Sequence, residues 1–194
     1  MEDNKHSITT YVSDMLALER HMRIPFEAQL KDADFNDYAN AKQLVSRLTS
    51  LSEKHIDALD SALKNMGGHE ASPIKSAVSQ FEGMVAGMID KARKTKVSKA
   101  LRDDYTALSL CTVSYTMLHA TASAMGESTV ATLAQKHLEE YAHCVMSIAE
   151  AMPQIVVEEL QALGLNVDTS AIAQSTEATQ RAWRGGERAG GGSN

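Results

Sequence analysis

Residues Lys99 to Met152 read KALRDDYTALSLCTVSYTMLHATASAMG, then Glu127, then STVATLAQKHLEEYAHCVMSIAEAM. Apolar residues recur every three or four positions on both sides of Gly126-Glu127, the spacing of helices with one buried stripe. The stretch predicts two long antiparallel helices joined by a very short turn. The first has Leu101, Tyr105, Leu108, Tyr115 and Ala122 on its stripe, with Thr112 and His119 completing it. The second opens on Ser128 as N-cap and carries Val130, Leu133, Ala134, Leu138, Tyr141, Val145 and Ile148, with His137 at the stripe's edge. Pro153 is expected to end it, because proline lacks an N–H and its ring clashes with the preceding turn. A short further helix then runs to Gly164.

Working backward, a helix is predicted over Ser7 to Lys31, with Tyr11, Val12, Met15, Leu18, Met22 and Phe26 as its stripe. Glu19 falls inside that stripe, and Pro25 predicts a kink. Asp32 to Asn36 reads as a polar turn. A second helix follows from Asp37 to Met66, stopped by Gly67-Gly68, with Ser52 and His55 among its apolar positions. Ser72-Pro73 is a helix start signal, and it predicts a medium helix over Pro73 to Ala92. Residues 1–165 thus form one helical bundle. Residues 166–194 form a short helix over Thr169 to Trp183 and a glycine-rich, flexible tail.

Bulk composition agrees. The 194 residues are 43% hydrophobic and 23% charged, and only 5% are aromatic. Three prolines in such a chain favour helix over sheet. A net charge of -6 counts against nucleic acid as a partner. The two cysteines, Cys111 and Cys144, fall inside predicted helices, which is no disulfide framework and fits a reducing compartment. The polar start lacks the apolar core of a signal peptide, and no run reaches the ~18–20 apolar residues of a membrane span. The expectation is a cytoplasmic protein that does not contact membranes.

Four long helices and a medium one, with a long connection between two antiparallel hairpins, give the ferritin-like topology. The chain also resembles the ferritin-like family of bacterial stress proteins of the YciE/YciF type. The resemblance lies in LALERHM, HIDALDSALKNMGG, SPIKSAVSQ and the YTMLHATASAMGESTVATLAQKHLEEYAH hairpin, and it covers residues 8 to 152. It implies two metal ions in the bundle core, held by a glutamate on two helices and Glu-x-x-His-like pairs on the other two. Glu19 fits the first glutamate. Ser52 stands where the glutamate of the Ser52-x-x-His55 pair would be. Leu108 and Cys111 occupy the level expected for acidic ligands on the next long helix, and Tyr141 does so on the last. These departures count against ferroxidase or oxygenase chemistry.

Helical phase and depth pick out a reduced site. Glu19, His55, His119 and His137 come one from each long helix. Counted from the common end of a ferritin-like bundle at ~1.5 Å per residue, they share a layer about 10–18 Å deep. Imidazole with carboxylate suits Fe, Mn, Zn or Cu, with Tyr115 and Tyr141 as orienting partners. A metal-free polar core would satisfy the same residues equally well. Glu140-x-x-His143 is a literal Glu-x-x-His motif, but His143 points away from the stripe and Glu140 sits at its flank. Two functions follow: a metal-binding protein in stress or metal handling, or a metal-free bundle used for interaction or assembly. A homo-oligomer is expected under either.

Overall fold

The computed structural model describes residues 2–67 and 96–189. Five α-helices follow in order: α1 (Glu2–Lys31), α2 (Ala39–Asn65), α3 (Val97–Ala124), α4 (Ser128–Ala162) and α5 (Ser170–Ala189). The predicted crossover helix over Pro73 to Ala92 lies outside the described residues. The chain is all-α, and α1 to α4 form a four-helix bundle.

Two tight connections fold α1 on α2 and α3 on α4. The first is a 3-10 turn, Ala33–Asp37, where Asp32 accepts a hydrogen bond from the Asp34 amide. The expectation of a purely polar turn is corrected by Phe35, which is buried and plugs that end of the core. At the second, Gly126 has φ of 77°, a left-handed conformation that glycine adopts without penalty. The expected serine cap is absent: Glu127 is the cap residue, its side chain makes no capping bond, and Ser128 is already helical.

Cross-bundle bonds fix the topology. Gln29 near the end of α1 meets Asp104 near the start of α3, and Glu19 meets Tyr115. Likewise Asn40 at the start of α2 meets Gln154 in α4, and His55 meets Glu140. So α1 is antiparallel to α3, and α2 to α4. It follows that α2 and α3 run parallel, with Asn65 and Val97 at opposite ends of the bundle, the relation that a ferritin-like crossover requires.

The expectation that Pro153 ends its helix is corrected, whereas Pro25 is expected within a helix. Both Pro25 and Pro153 lie inside continuous helices, α1 and α4. A proline within a helix removes one backbone bond, but the turns beyond each one are held by packing. Phe26 and Gln29 are buried after Pro25, and Ile155, Val157 and Glu159 after Pro153. Glu159 also accepts bonds from the Ser98 amide (2.8 Å) and hydroxyl (2.6 Å), satisfying the otherwise bare first turn of α3.

The register of α3 differs from expectation by one position along half its length. Its buried residues include Leu101, Asp104, Leu108, Cys111, Tyr115, Leu118 and Ala122. Tyr105, Thr112 and His119 are only half-buried. Both sets keep helical spacing, so the periodicity alone allows either. The true stripe includes an aspartate, which masks it. The C-terminal helix α5 extends to Ala189, beyond the expected end at Trp183, and Asp168 caps it by accepting from the Ser170 amide at 2.9 Å. Among the described residues no helix is long and apolar enough to cross a membrane.

Candidate metal centre

Glu19 is fully buried at the centre of the bundle, and each of the other three long helices sends at least one donor to it. Its Oε1 accepts from His55 Nδ1 at 2.9 Å and from the Tyr115 hydroxyl at 2.6 Å. Its Oε2 accepts from the Ser52 hydroxyl at 3.1 Å and from the Tyr141 hydroxyl. A bare carboxylate in an apolar interior is strongly disfavoured. Four donors, two on each oxygen, offset that penalty. Burial and the Glu19 charge raise both phenol pKa values well above the ordinary value, so Tyr115 and Tyr141 keep the protons they donate.

The same bonds set the histidine tautomers. The Tyr115 proton goes to Glu19, so the contact between His137 Nδ1 and the Tyr115 oxygen, at 3.1 Å, is a bond donated by Nδ1–H. That leaves His137 Nε2 as a bare lone pair. Burial, reinforced by His55 and Lys136, pushes the His137 pKa down to about 3, so the ring is neutral. His55 gives its Nδ1–H to Glu19, and its Nε2 lies 2.8 Å from Glu140 Oε2.

One ligand atom from each of His55, His137 and Glu140 falls within 4.8 Å of the other two. Both histidines are buried, whereas the Glu140 side chain is 32% exposed. The group therefore faces the solvent edge of the α2–α4 interface. An ion with bonds of ~2.0–2.2 Å would draw such atoms to within about 4.4 Å of one another, a small contraction from these separations. With an ion bound, Glu19 would be the carboxylate behind a ligating histidine, fixing the His55 ring and raising its basicity. The His55 and His137 rings stack with centroids 3.7 Å apart and planes 13° apart, so a shared ion requires them to splay.

Of the four expected ligands, the structure brings Glu19, His55 and His137 together. His119 is half-buried and outside the group, because Leu118 takes its place on the buried stripe. Glu19 is adjacent but saturated by its four donors. Glu140 joins, paired with His137 three residues earlier on the same face; His143 is exposed. The legible signal for Glu140 is His137-x-x-Glu140, a Glu-x-x-His pair written backwards. Di-iron bundles use one glutamate from each of two helices and a Glu-x-x-His pair from each of the others. Here those places hold Glu19, Tyr115, Ser52-x-x-His55 and His137-x-x-Glu140. The expected level at Leu108 and Cys111 is therefore one to two turns away from the residue that faces Glu19, which is Tyr115. Ser52 and Tyr115 carry hydroxyls at these places, and both donate to Glu19.

No protein-family model and no curated protein matches the chain. Among solved structures, the chain is similar to a protein from Xanthomonas campestris pv. campestris. The TM-score is 0.67 at 16% identity, over 84% of this chain and 99% of that one. At that identity the likeness carries the bundle fold and nothing about chemistry.

Proposed function

We propose that this protein is a metal-binding ferritin-like bundle that holds one divalent transition ion on His55, His137 and Glu140. One observation carries the reading: three ligand atoms gather within 4.8 Å, with Nδ1 of His55 and of His137 anchored behind them on Glu19 and Tyr115. Two imidazoles and a carboxylate suit Fe, Mn, Zn or Cu. Counted as carboxylates, Glu19 and Glu140 together balance the charge of a divalent ion. Such an ion supplies Lewis-acid or redox chemistry at the solvent edge beside Glu140. The chain's own residues orient the rings, hold His137 neutral and keep Glu19 dry. The biological role that fits is metal handling or stress protection in the cytoplasm, with copies of the chain assembling into a homo-oligomer.

One observation favours a second reading. Both ring nitrogens of His55 already face carboxylates, and its ring stacks on His137. A proton on His55 Nε2 would satisfy the group without metal, leaving a bundle used for interaction or assembly.

The test is metal content and uptake of protein purified without added metal or a metal-affinity column. The metal reading expects one ion per chain. His55→Ala, His137→Ala and Glu140→Gln should each lose uptake while helical content is kept, and His119→Ala should bind as the parent does. Absence of uptake of Fe, Mn, Zn and Cu by the parent protein leaves the metal-free reading.

A further inference from the structure

A second buried polar pair lies at the opposite end of the bundle from the α3–α4 turn, about three helical turns along α1 from Glu19. Gln29 on α1 is 6% exposed and Asp104 on α3 is 1% exposed. Gln29 Nε2 donates to Asp104 Oδ1 at 2.9 Å. The other oxygen of each group, Gln29 Oε1 and Asp104 Oδ2, is buried without a hydrogen-bond partner. Two orphaned acceptors on side chains already joined by one bond form an unsatisfied arrangement, and each orphan carries a desolvation penalty. A single proton resolves both. An amide and a carboxylic acid close a ring of two parallel hydrogen bonds, in which each group donates once and accepts once.

We propose that Asp104 is a neutral carboxylic acid in the folded chain, donating Oδ2–H to Gln29 Oε1, and that this ring is a pH-released clasp between α1 and α3. The surroundings agree. Gln29, the partner from α1, is neutral. Asp103, beside Asp104 on α3, is the charged group that acts on it, and it disfavours a second negative charge. Arg102 is bonded to Asp103. None of the described residues of α1 or α4 sets a cation against Asp104. Burial, followed by Asp103 and against the Gln29 bond, raises its pKa from 3.8 to about 7.

The sign follows from linkage. Between about pH 4 and 7 the unfolded chain has released this proton and the folded chain retains it, so rising pH favours unfolding. A displacement from 3.8 to about 7 corresponds to an increase of up to about a thousandfold in the unfolding equilibrium constant across that window. The proposal is independent of the metal reading.

The test is a carbon-13 NMR titration of the Asp104 carboxyl in the unmodified full-length chain, alongside urea unfolding of parent and Asp104→Asn from pH 4 to 8. Asparagine keeps both bonds of the ring and cannot ionise. The expected carboxyl inflection lies near neutrality. Parent and variant should be similarly stable at low pH, with the variant's advantage growing at least tenfold in unfolding constant by pH 8. A carboxyl inflection near 3.8 overturns the proposal, as does an advantage that does not change with pH. The titration needs no variant, so it decides the matter even if Asp104→Asn folds poorly.

Discussion

Tyr115 holds two site residues with one hydroxyl, so removing that oxygen should cost more than removing its neighbour on Tyr141. Tyr141→Phe takes one donor from the Glu19 carboxylate, a loss of about 1.5–3 kcal/mol for a bond to a charged group. Tyr115→Phe takes a similar donor and also strands His137 Nδ1–H in a buried position, adding about 1–3 kcal/mol. The total, about 2.5–6 kcal/mol, is a large share of the roughly 5–15 kcal/mol that holds a domain together. Urea denaturation followed by circular dichroism reads both variants, with an unchanged slope required for comparison. The same two substitutions on a His137→Ala background close a double-mutant cycle. There the excess cost of Tyr115→Phe should vanish, because no Nδ1–H is left to strand. The reasoning is refuted if the two single variants agree within about 0.5 kcal/mol, or if the excess survives on the His137→Ala background.

Metal affinity of Tyr115→Phe, measured by competition with a chromophoric chelator, should fall about 10–100-fold, the usual penalty for losing a partner that orients a ligand; an unchanged affinity would separate Tyr115 from the site. Because α4 runs unbroken through half-buried Pro153, Pro153→Ala should raise the thermal midpoint by an amount corresponding to about 1–3 kcal/mol, and a lowered midpoint would count against a continuous helix. Glu159→Gln should weaken the cap on α3 by about 0.5–2 kcal/mol, seen as faster amide hydrogen exchange around Ser98 with little change at Tyr115.

The bundle was legible because helical periodicity and turn residues agree over long stretches. On α2, Ala41, Val45, Leu48, Leu59 and Leu63 are buried at helical spacing, with Leu44, Ala62 and Met66 half-buried beside them. Gly67 and Gly126 take positive φ at the expected ends. Glu19, Ser52 and His55 were also readable, as polar residues interrupting otherwise apolar faces. On α3 the rule that aspartates stay exposed points to Tyr105, Thr112 and His119. The register that folds buries Asp104, Cys111 and Leu118 instead, and Asp104 there meets Gln29 on α1. Glu140 was hidden for a different reason. Phase puts it at the flank of α4, and only the neighbouring surface of α2 makes that flank part of a site. Pro153 misled because a local breaking tendency says nothing about packing farther along.

Glu19 also has a consequence for the order in which the chain assembles. Its four donors come from α2, α3 and α4, between 33 and 122 residues away in sequence. The α1–α2 hairpin brings only Ser52 and His55. Until the second hairpin docks, the carboxylate must remain wet, since partial burial would strip its water before the phenols arrive. Half-docked states are thereby penalised, whereas each hairpin can form early from its own local contacts. Docking of the two preformed hairpins should therefore be the concerted, rate-limiting event in folding, with this carboxylate acting as a checkpoint on their alignment.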